Sequence, residues 1–247
     1  MDPFFEDRLR DLSAQSEKRS RYTFTVFLTP EELGVLQRMK GSLGSFTLFG
    51  GAEGTERCMA RFGCEETLGY TEPFPIVCLR IRPKGEKFAD ALTHRDFLGA
   101  LMHTGIDRGR IGDIIVRGTT AYVFVHETVA EFLTENVTKV RHTAVDTETA
   151  DVLPEGELFR RVPFEGIAAS ARLDCIAGAV FRLSRGASSA LLAEQKIFVN
   201  GSVCENASYT VKPGDVISVR GKGKFRFTGI SSATKKGRAV FTAELYQ

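Results

Sequence analysis

Between Phe4 and Arg19 apolar residues recur loosely at helical spacing among charged ones, which predicts an opening helix. In RYTFTVFL (21–28) the residues Tyr22, Phe24 and Val26 recur at period two, the signature of a strand. TPEELGVLQRMKG (29–41) predicts a second helix: Thr29 is placed to cap, Pro30 takes the first helical position, acids fill the first turn and Gly41 stops it. SFTLF (45–49) reads as a short strand. GGAEGTERCMARF (50–62) reads as a tight glycine turn feeding a helix. Residues 1–74 are therefore expected to form a small α/β unit.

Pro73 and Pro75 punctuate the next boundary. PIVCLRIRP (75–83) predicts a strand and THRDFLGALMHTG (93–105) a helix capped by Thr93 and ended by Gly105. IGDIIVRGTTAYVFVHE (111–127) predicts two strands about Gly118, TVAEFLTENV (128–137) a helix and KVRHTAVD (139–146) a last strand. This β-α-β-β-α-β order, over residues 75–150, is the ferredoxin-like pattern that RRM domains share. Tyr122 and Phe124 stand two apart on the third strand, as stacking aromatics do in an RRM. The first strand offers Val77 and Leu79 where a further aromatic is wanted, so burial in a core or against a neighbouring domain is the expectation for the pair.

Residues 151–165, within TETADVLPEGELFRRVPF, read as a linker holding at most one short strand. Beyond it, 166–247 predicts a helix from about Leu173, a second helix starting at a Ser184 cap with Arg185 in its first turn, and a hairpin turning at Asn200-Gly201. After the Lys212–Asp215 turn, Arg220, Lys222, Lys224 and Arg226 recur at every second position. In an extended chain that spacing sets four cations on one face. A solvated strand face looks the same, so the remaining chain has to decide.

Charge changes the picture. The 247 residues carry a formal net charge of only +2, with 43% hydrophobic and 26% charged residues, as in a globular chain of two or three domains. From residue 166 onward, however, 12 Lys and Arg face 5 Asp and Glu, whereas the first 165 residues hold 21 against 26. The basic character is local to the last third. Five cysteines, odd in number and without a C-x-x-C, are expected to be reduced and structural, as in the cytoplasm. The amphipathic N-terminus does not read as a signal peptide, and no apolar run reaches the roughly 18 residues of a membrane span.

Catalytic, metal and cofactor sites are expected to be absent, as is a small-molecule substrate. His94, His103, His126 and His142 stand at no metal-ligand spacing and read as surface or packing residues. FGGAEGTER lacks the Gly-Lys-Ser/Thr ending of a phosphate loop; a glycine turn with helix packing is the simpler reading, with Glu53, Glu56 and Arg57 available for a second contact surface.

The run RLD (172–174), LSR (183–185), VNG (199–201) and SYTVKPGDVISV (208–219) resembles the RNA-binding domain named after small-subunit ribosomal protein four, the S-four or αL module. FTVFLTP, LFGGAEGTER, GDIIVRG and TKKGRAVF, in that order, make the chain from Tyr22 onward similar to the bacterial YlmH family. The resemblance implies an α+β protein: an N-terminal α/β unit, a ferredoxin-like (RRM-like) middle domain and an S-four domain with extra strands. It implies RNA binding, to rRNA or tRNA on the large ribosomal subunit, in quality control of stalled peptidyl-tRNA, in the cytoplasm.

Arg172, Ser184, Arg185, Asn200, Gly201, Lys212, Gly214 and Asp215 match the S-four pattern. The expected RNA contacts are Arg172, Arg182, Ser184, Arg185, Lys196, Asn200, Lys212, Arg220, Lys222, Lys224, Arg226, Lys235, Lys236 and Arg238. Ser188 and Ser189 stand where the family often has a further basic residue and Gln195 where it has a helix-ending glycine, which shifts weight to the strand and tail. RLD also resembles the aspartate motif of pseudouridine synthases, but Asp174 falls in the S-four domain's own first helix and no separate catalytic domain follows it; the runner-up is an RNA-modifying enzyme whose active site lies in the first 150 residues, and a cell-division interaction scaffold is the third reading.

Overall fold

The computed structural model describes residues 3–52, 54–85, 92–150, 161–200, 202–235 and 237–246. Glu53, Gly201, Lys236 and residues 151–160 of the expected linker lie outside the described residues. The chain divides into two compact units, residues 1–29 with 36–158 and residues 30–35 with 159–247. No helix of the described residues is long and apolar enough to cross a membrane.

The first unit opens with α1 (Phe5–Arg19), stopped by Ser20 in the left-handed conformation. β1 (Thr23–Phe24), α2 (Pro30–Arg38, of which residues 30–35 belong to the second unit), β2 (Phe46–Phe49), β3 (Met59–Phe62) and α3 (Glu65–Leu68) follow, and the strands form an antiparallel sheet in the order β1-β3-β2. Two expectations change here. CMARF is not a helix but the central strand: Met59, Ala60 and Phe62 are buried between two partners, and a short apolar run has no period that separates the two structures. RYTFTVFL does not keep its phase either. Thr25 is buried and its hydroxyl accepts from Ala60 N at 2.8 Å, while Val26 is exposed.

The ferredoxin-like order appears in β4 (Ile76–Pro83), α4 (His94–His103), β5 (Ile111–Arg117), β6 (Thr120–His126), α5 (Glu127–Asn136), β7 (Lys139–Val140) and β8 (Thr143–Thr149). The sheet runs β5-β6-β4-β8-β7 with every pair antiparallel. KVRHTAVD is thus two strands, because Arg141 takes φ 52 and folds it into a hairpin. Thr93 and Asp96 form a capping box at the start of α4. His126 caps α5, its Nδ1 accepting from Thr128 N at 3.2 Å, so this histidine has a structural use. Leu79, Ile81, Phe97, Leu101, Ile111, Val123, Val125 and Leu133 make the core beneath α4 and α5. At about 1.5–3 kcal/mol for each large side chain, that burial dominates the stability of this half.

The second unit joins β9 (Arg161–Ala168), α6 (Leu173–Val180), α7 (Arg185–Ala193), β10 (Ile197–Val199), β11 (Ser202–Val203), β12 (Val216–Val219), β13 (Gly223–Ala233) and β14 (Ala239–Tyr246). Its sheet runs β11-β10-β12-β13-β14-β9, so residues 161–165, expected in the linker, belong to an edge strand. Leu173, Ile176, Ile197, Ile217, Phe225, Phe227 and Phe241 share one core.

Candidate RNA-binding surface

The two helices of the second unit meet through small side chains. Ser188 is fully buried, its hydroxyl donates to Asp174 O at 3.0 Å, and a Cβ at Gly178 would lie 3.5 Å from it. A basic residue at position 188 would have to desolvate its charge there, which accounts for the departure from the family pattern. Ser184 caps α7 by accepting from Ala187 N at 3.2 Å. Gln195 adopts φ 55, so it performs the left-handed stop that a glycine makes more cheaply.

Asp215 organises the turn before β12. Its buried carboxylate accepts from Asn200 Nδ2 at 2.8 Å, Tyr209 OH at 2.9 Å and Lys212 N at 2.8 Å. Burial first, and then this carboxylate, push the Tyr209 phenol up to about 12. Asn200 also accepts from Val216 N at 2.9 Å, so both ends of its amide are engaged within the protein. Arg172 is committed in a similar way: its Nε and Nη2 donate to Asp174 at 3.1 and 2.9 Å. Burial opposes ionisation of Asp174, but Arg172 and Cys175 outweigh it and hold the carboxyl below its ordinary range.

The alternating cations do not lie on one strand. Arg220, Gly221 and Lys222 form the turn between β12 and β13, with Val219 paired to Gly223. The reason lies in Gly221 and Gly223, whose φ of 80 and 137 admit the reversal. The turn gathers cations from other elements instead. Arg220 N donates to Lys196 O at 2.9 Å, and its guanidinium lies 5.6 Å from the Phe198 ring centroid. Phe181, next to Arg182, packs at 5.7 Å on Phe225 and lies against Gly223, which brings the exposed Arg182 to the same end. Arg185 follows in the first turn of α7, where the helix dipole adds to its charge.

Lys224 and Arg226 do share the outer face of β13, both half-buried, and the buried Nε of Arg226 has no hydrogen-bond partner among the described residues. Lys224 Nζ lies 4.4 Å from the Tyr246 ring centroid, and Arg226 is cross-strand to Glu244, which pairs with Arg161 at 3.6 Å. Lys196 pairs with Glu194 at 2.6 Å, both side chains staying partly exposed. Lys235 and Arg238 sit at the β13–β14 tip, where Thr234 N donates to Arg238 O at 2.8 Å. The strand end before that tip, Ala233, is ten residues from Gly223, roughly 33 Å along a strand. Register shifts at Phe227/Gly229 and Ile230/Ser232 bend the strand on the way. Among the described residues, Arg182, Arg185, Lys212, Arg220, Lys222, Lys235 and Arg238 are exposed and make no ion pair.

The partners Phe198, Tyr246 and Arg161 were not among the expected contacts. The alternation of buried Ile197 and Val199 about Phe198 is the signal that places that ring on the outer face.

In the first unit the RRM comparison is re-registered. Cys78 pairs with Phe124 and Arg80 with Tyr122, so these share the outer face, while Val77 and Leu79 point to the helices. Phe124 is only 1% exposed, because Gly51, at φ 103, lies on its ring where any Cβ would collide. The described part of FGGAEGTER is thereby placed, with Gly51 covering the sheet at Phe124. Arg57 fastens it through Ile111 O at 3.1 Å, Phe27 O at 2.9 Å and Arg108 O at 3.3 Å, and Asp113 accepts from Glu56 N and Arg57 N. Burial, and then the neighbouring Arg57, lower Arg108 to about 10. The five half-buried cysteines form no disulfide, and burial raises Cys78 to about 11, far from a reactive thiolate.

The family model described as the putative RNA-binding domain in YlmH matches residues 70–153, and that of the S4 domain matches residues 177–217. Over 245 residues the chain is 30% identical to the ribosome-associated protein quality control protein P2 of Bacillus subtilis (strain 168), covering 97% of this chain and 93% of that protein. Among solved structures, the cell division protein ylmH from Streptococcus pneumoniae aligns with a TM-score of 0.49 at 21% identity, over 60% of this chain and 90% of that one. The S4 match ends within β12, so the cations from Arg220 to Arg238 lie beyond it.

Proposed function

Because the chain belongs to the YlmH family of RNA-binding proteins, we propose that it is a non-enzymatic cytoplasmic factor that holds rRNA or tRNA on the large ribosomal subunit. Its role is quality control of stalled peptidyl-tRNA, in keeping with the name of its Bacillus subtilis relative. One observation carries the reading: exposed Arg220 and Lys222 form the turn between β12 and β13, whose backbone is bonded to Lys196 and whose Gly223 meets Phe181 beside Arg182, while Asp215 ties the turn before β12 through three hydrogen bonds. Guanidinium and ammonium groups contacting phosphate position a protein on RNA by shape and charge. Lys212 and the Lys235–Arg238 loop extend the footprint, while Arg172, Ser184 and Asn200 act mainly by holding the module together.

The pseudouridine-synthase resemblance of RLD finds no support in the geometry of Asp174. A nucleophilic Asp174 would need an open carboxylate, yet its side chain is 5% exposed and is bound by Arg172. Co-sedimentation with large subunits tests the proposal: Arg185→Glu combined with Lys222→Glu is expected to abolish it, and sedimentation equal to the unaltered protein rejects it.

A further inference from the structure

A cleft of about 570 Å³ opens on the helix side of the ferredoxin-like domain, between α4, the residues after α5 and the β7–β8 hairpin. Arg95, Lys139 and Arg141 line it, all three exposed. Asp96 is the one carboxylate among the lining residues. Its Oδ2 already accepts from Thr93 N at 2.8 Å and Thr93 Oγ1 at 2.7 Å, and its Oδ1 lies 3.6 Å from Arg141 Nε. Arg95 and Lys139 make no ion pair with a described residue. The cleft therefore keeps an excess of positive charge.

At two positions the residue is not the one the local backbone favours. Arg141 holds φ 52 at a two-residue hairpin corner where glycine or asparagine is the unstrained choice. Gly99 interrupts the middle of α4 although a Cβ there would meet nothing within 4 Å. Glycine weakens a helix, and its use on a cleft wall leaves room for a close approach. Thr138 also lines the cleft, and Asn136 uses its amide Nδ2 on Phe132 O at 2.8 Å, leaving Oδ1 facing no described partner.

The opposite face of the same domain is closed to stacking. Phe124 lies beneath Gly51, and Arg80 and Arg82 both reach Glu148, at 2.8 and 3.4 Å. We propose that this domain grips RNA not on its sheet but in the α4–α5 cleft, with Arg95, Lys139 and Arg141 on successive phosphates and Asn136 and Thr138 beside the ribose. The inference rests on the RNA-binding reading of the whole chain and adds a second contact, independent of the S-four module.

The test uses the full chain, bulk deacylated tRNA and fluorescence anisotropy over a salt series. Each lost phosphate contact lowers the salt slope by about 0.7–0.9 and weakens binding roughly five- to eightfold at 0.1 M salt. Arg141→Gly is expected to do this while raising the unfolding temperature, since it removes the cation and relieves the backbone. Arg95→Glu with Lys139→Glu should lower the slope by about 1.4–1.8. Gly99→Glu should weaken binding in a folded protein. Unchanged slopes in all three overturn the proposal, as does weaker binding by Arg141→Gly only alongside a lowered unfolding temperature. Repeating the series with Arg220→Ala and Lys222→Ala separates the two sites: slopes that respond only to the cleft variants reject the S-four contact and keep this one, and the reverse rejects the cleft.

Discussion

Removing Arg220 and Lys222 together, as alanines, isolates the charge of the β12–β13 turn from its architecture. The structural bonds at this turn are made by backbone groups, Arg220 N to Lys196 O and Lys222 N to Val219 O, both at 2.9 Å, and alanine preserves them. Both side chains are exposed, so stability should stay within about 0.5 kcal/mol. With four phosphates engaged by the S-four module and about 0.8 of slope for each, that module's contacts should account for about an 80-fold loss in affinity between 50 and 200 mM salt. With two contacts gone that module's share of the slope falls to about −1.6, and its part of the same change in salt to about ninefold. Anisotropy against bulk tRNA at five or six salt concentrations reads both slopes. As a control, Arg10→Ala removes an exposed cation already paired with Glu6 and Asp7 and should leave the slope alone. A double variant whose slope matches the unaltered protein would refute the assignment, because no phosphate could then be in contact with this turn.

Gln195→Gly should raise stability by about 1 kcal/mol, since φ 55 strains an L residue and the Gln195–Glu205 hydrogen bond it forfeits is exposed; chemical denaturation measures it, and a loss of stability contradicts the reading. Asp215→Ala should cost about 2–4 kcal/mol by stranding three buried or half-buried donors, and should return the Tyr209 phenol from about 12 toward 10, followed by its absorbance on titration. His94 and His126 both titrate below the ordinary 6.5, first through burial and then through Arg108 and Arg110 respectively, against weaker opposing pulls from Glu56 and Glu127. The folded state thus binds fewer protons than the unfolded one, so stability should be full above 6.5 and decline as pH falls through the window below it. His126→Asn, which keeps a capping side chain on α5, should flatten part of that decline in thermal melts, and an unaltered profile would dismiss the His126 contribution.

Local chemistry announced itself plainly along the chain. Thr93, Ser184, Asn200 and the Lys212–Asp215 turn carry signals that act within a few residues, and each performs the local task its type suggests. The β-α-β-β-α-β order and the local excess of basic residues after 166 were likewise legible, because hydrophobic period and composition do not depend on distant partners. Other features were decided only when the chain closed on itself. CMARF became a strand because two neighbours supplied its backbone hydrogen bonds, and Phe124 lost its surface because a glycine turn more than 70 residues earlier lies over it. The even-numbered cations from Arg220 to Arg226 keep their parity, but a reversal at Arg220–Lys222 parts them and rebuilds the patch from Lys196 and Arg182. Parity states which face a side chain takes only while the strand continues; where it turns, long-range pairing chooses the neighbours.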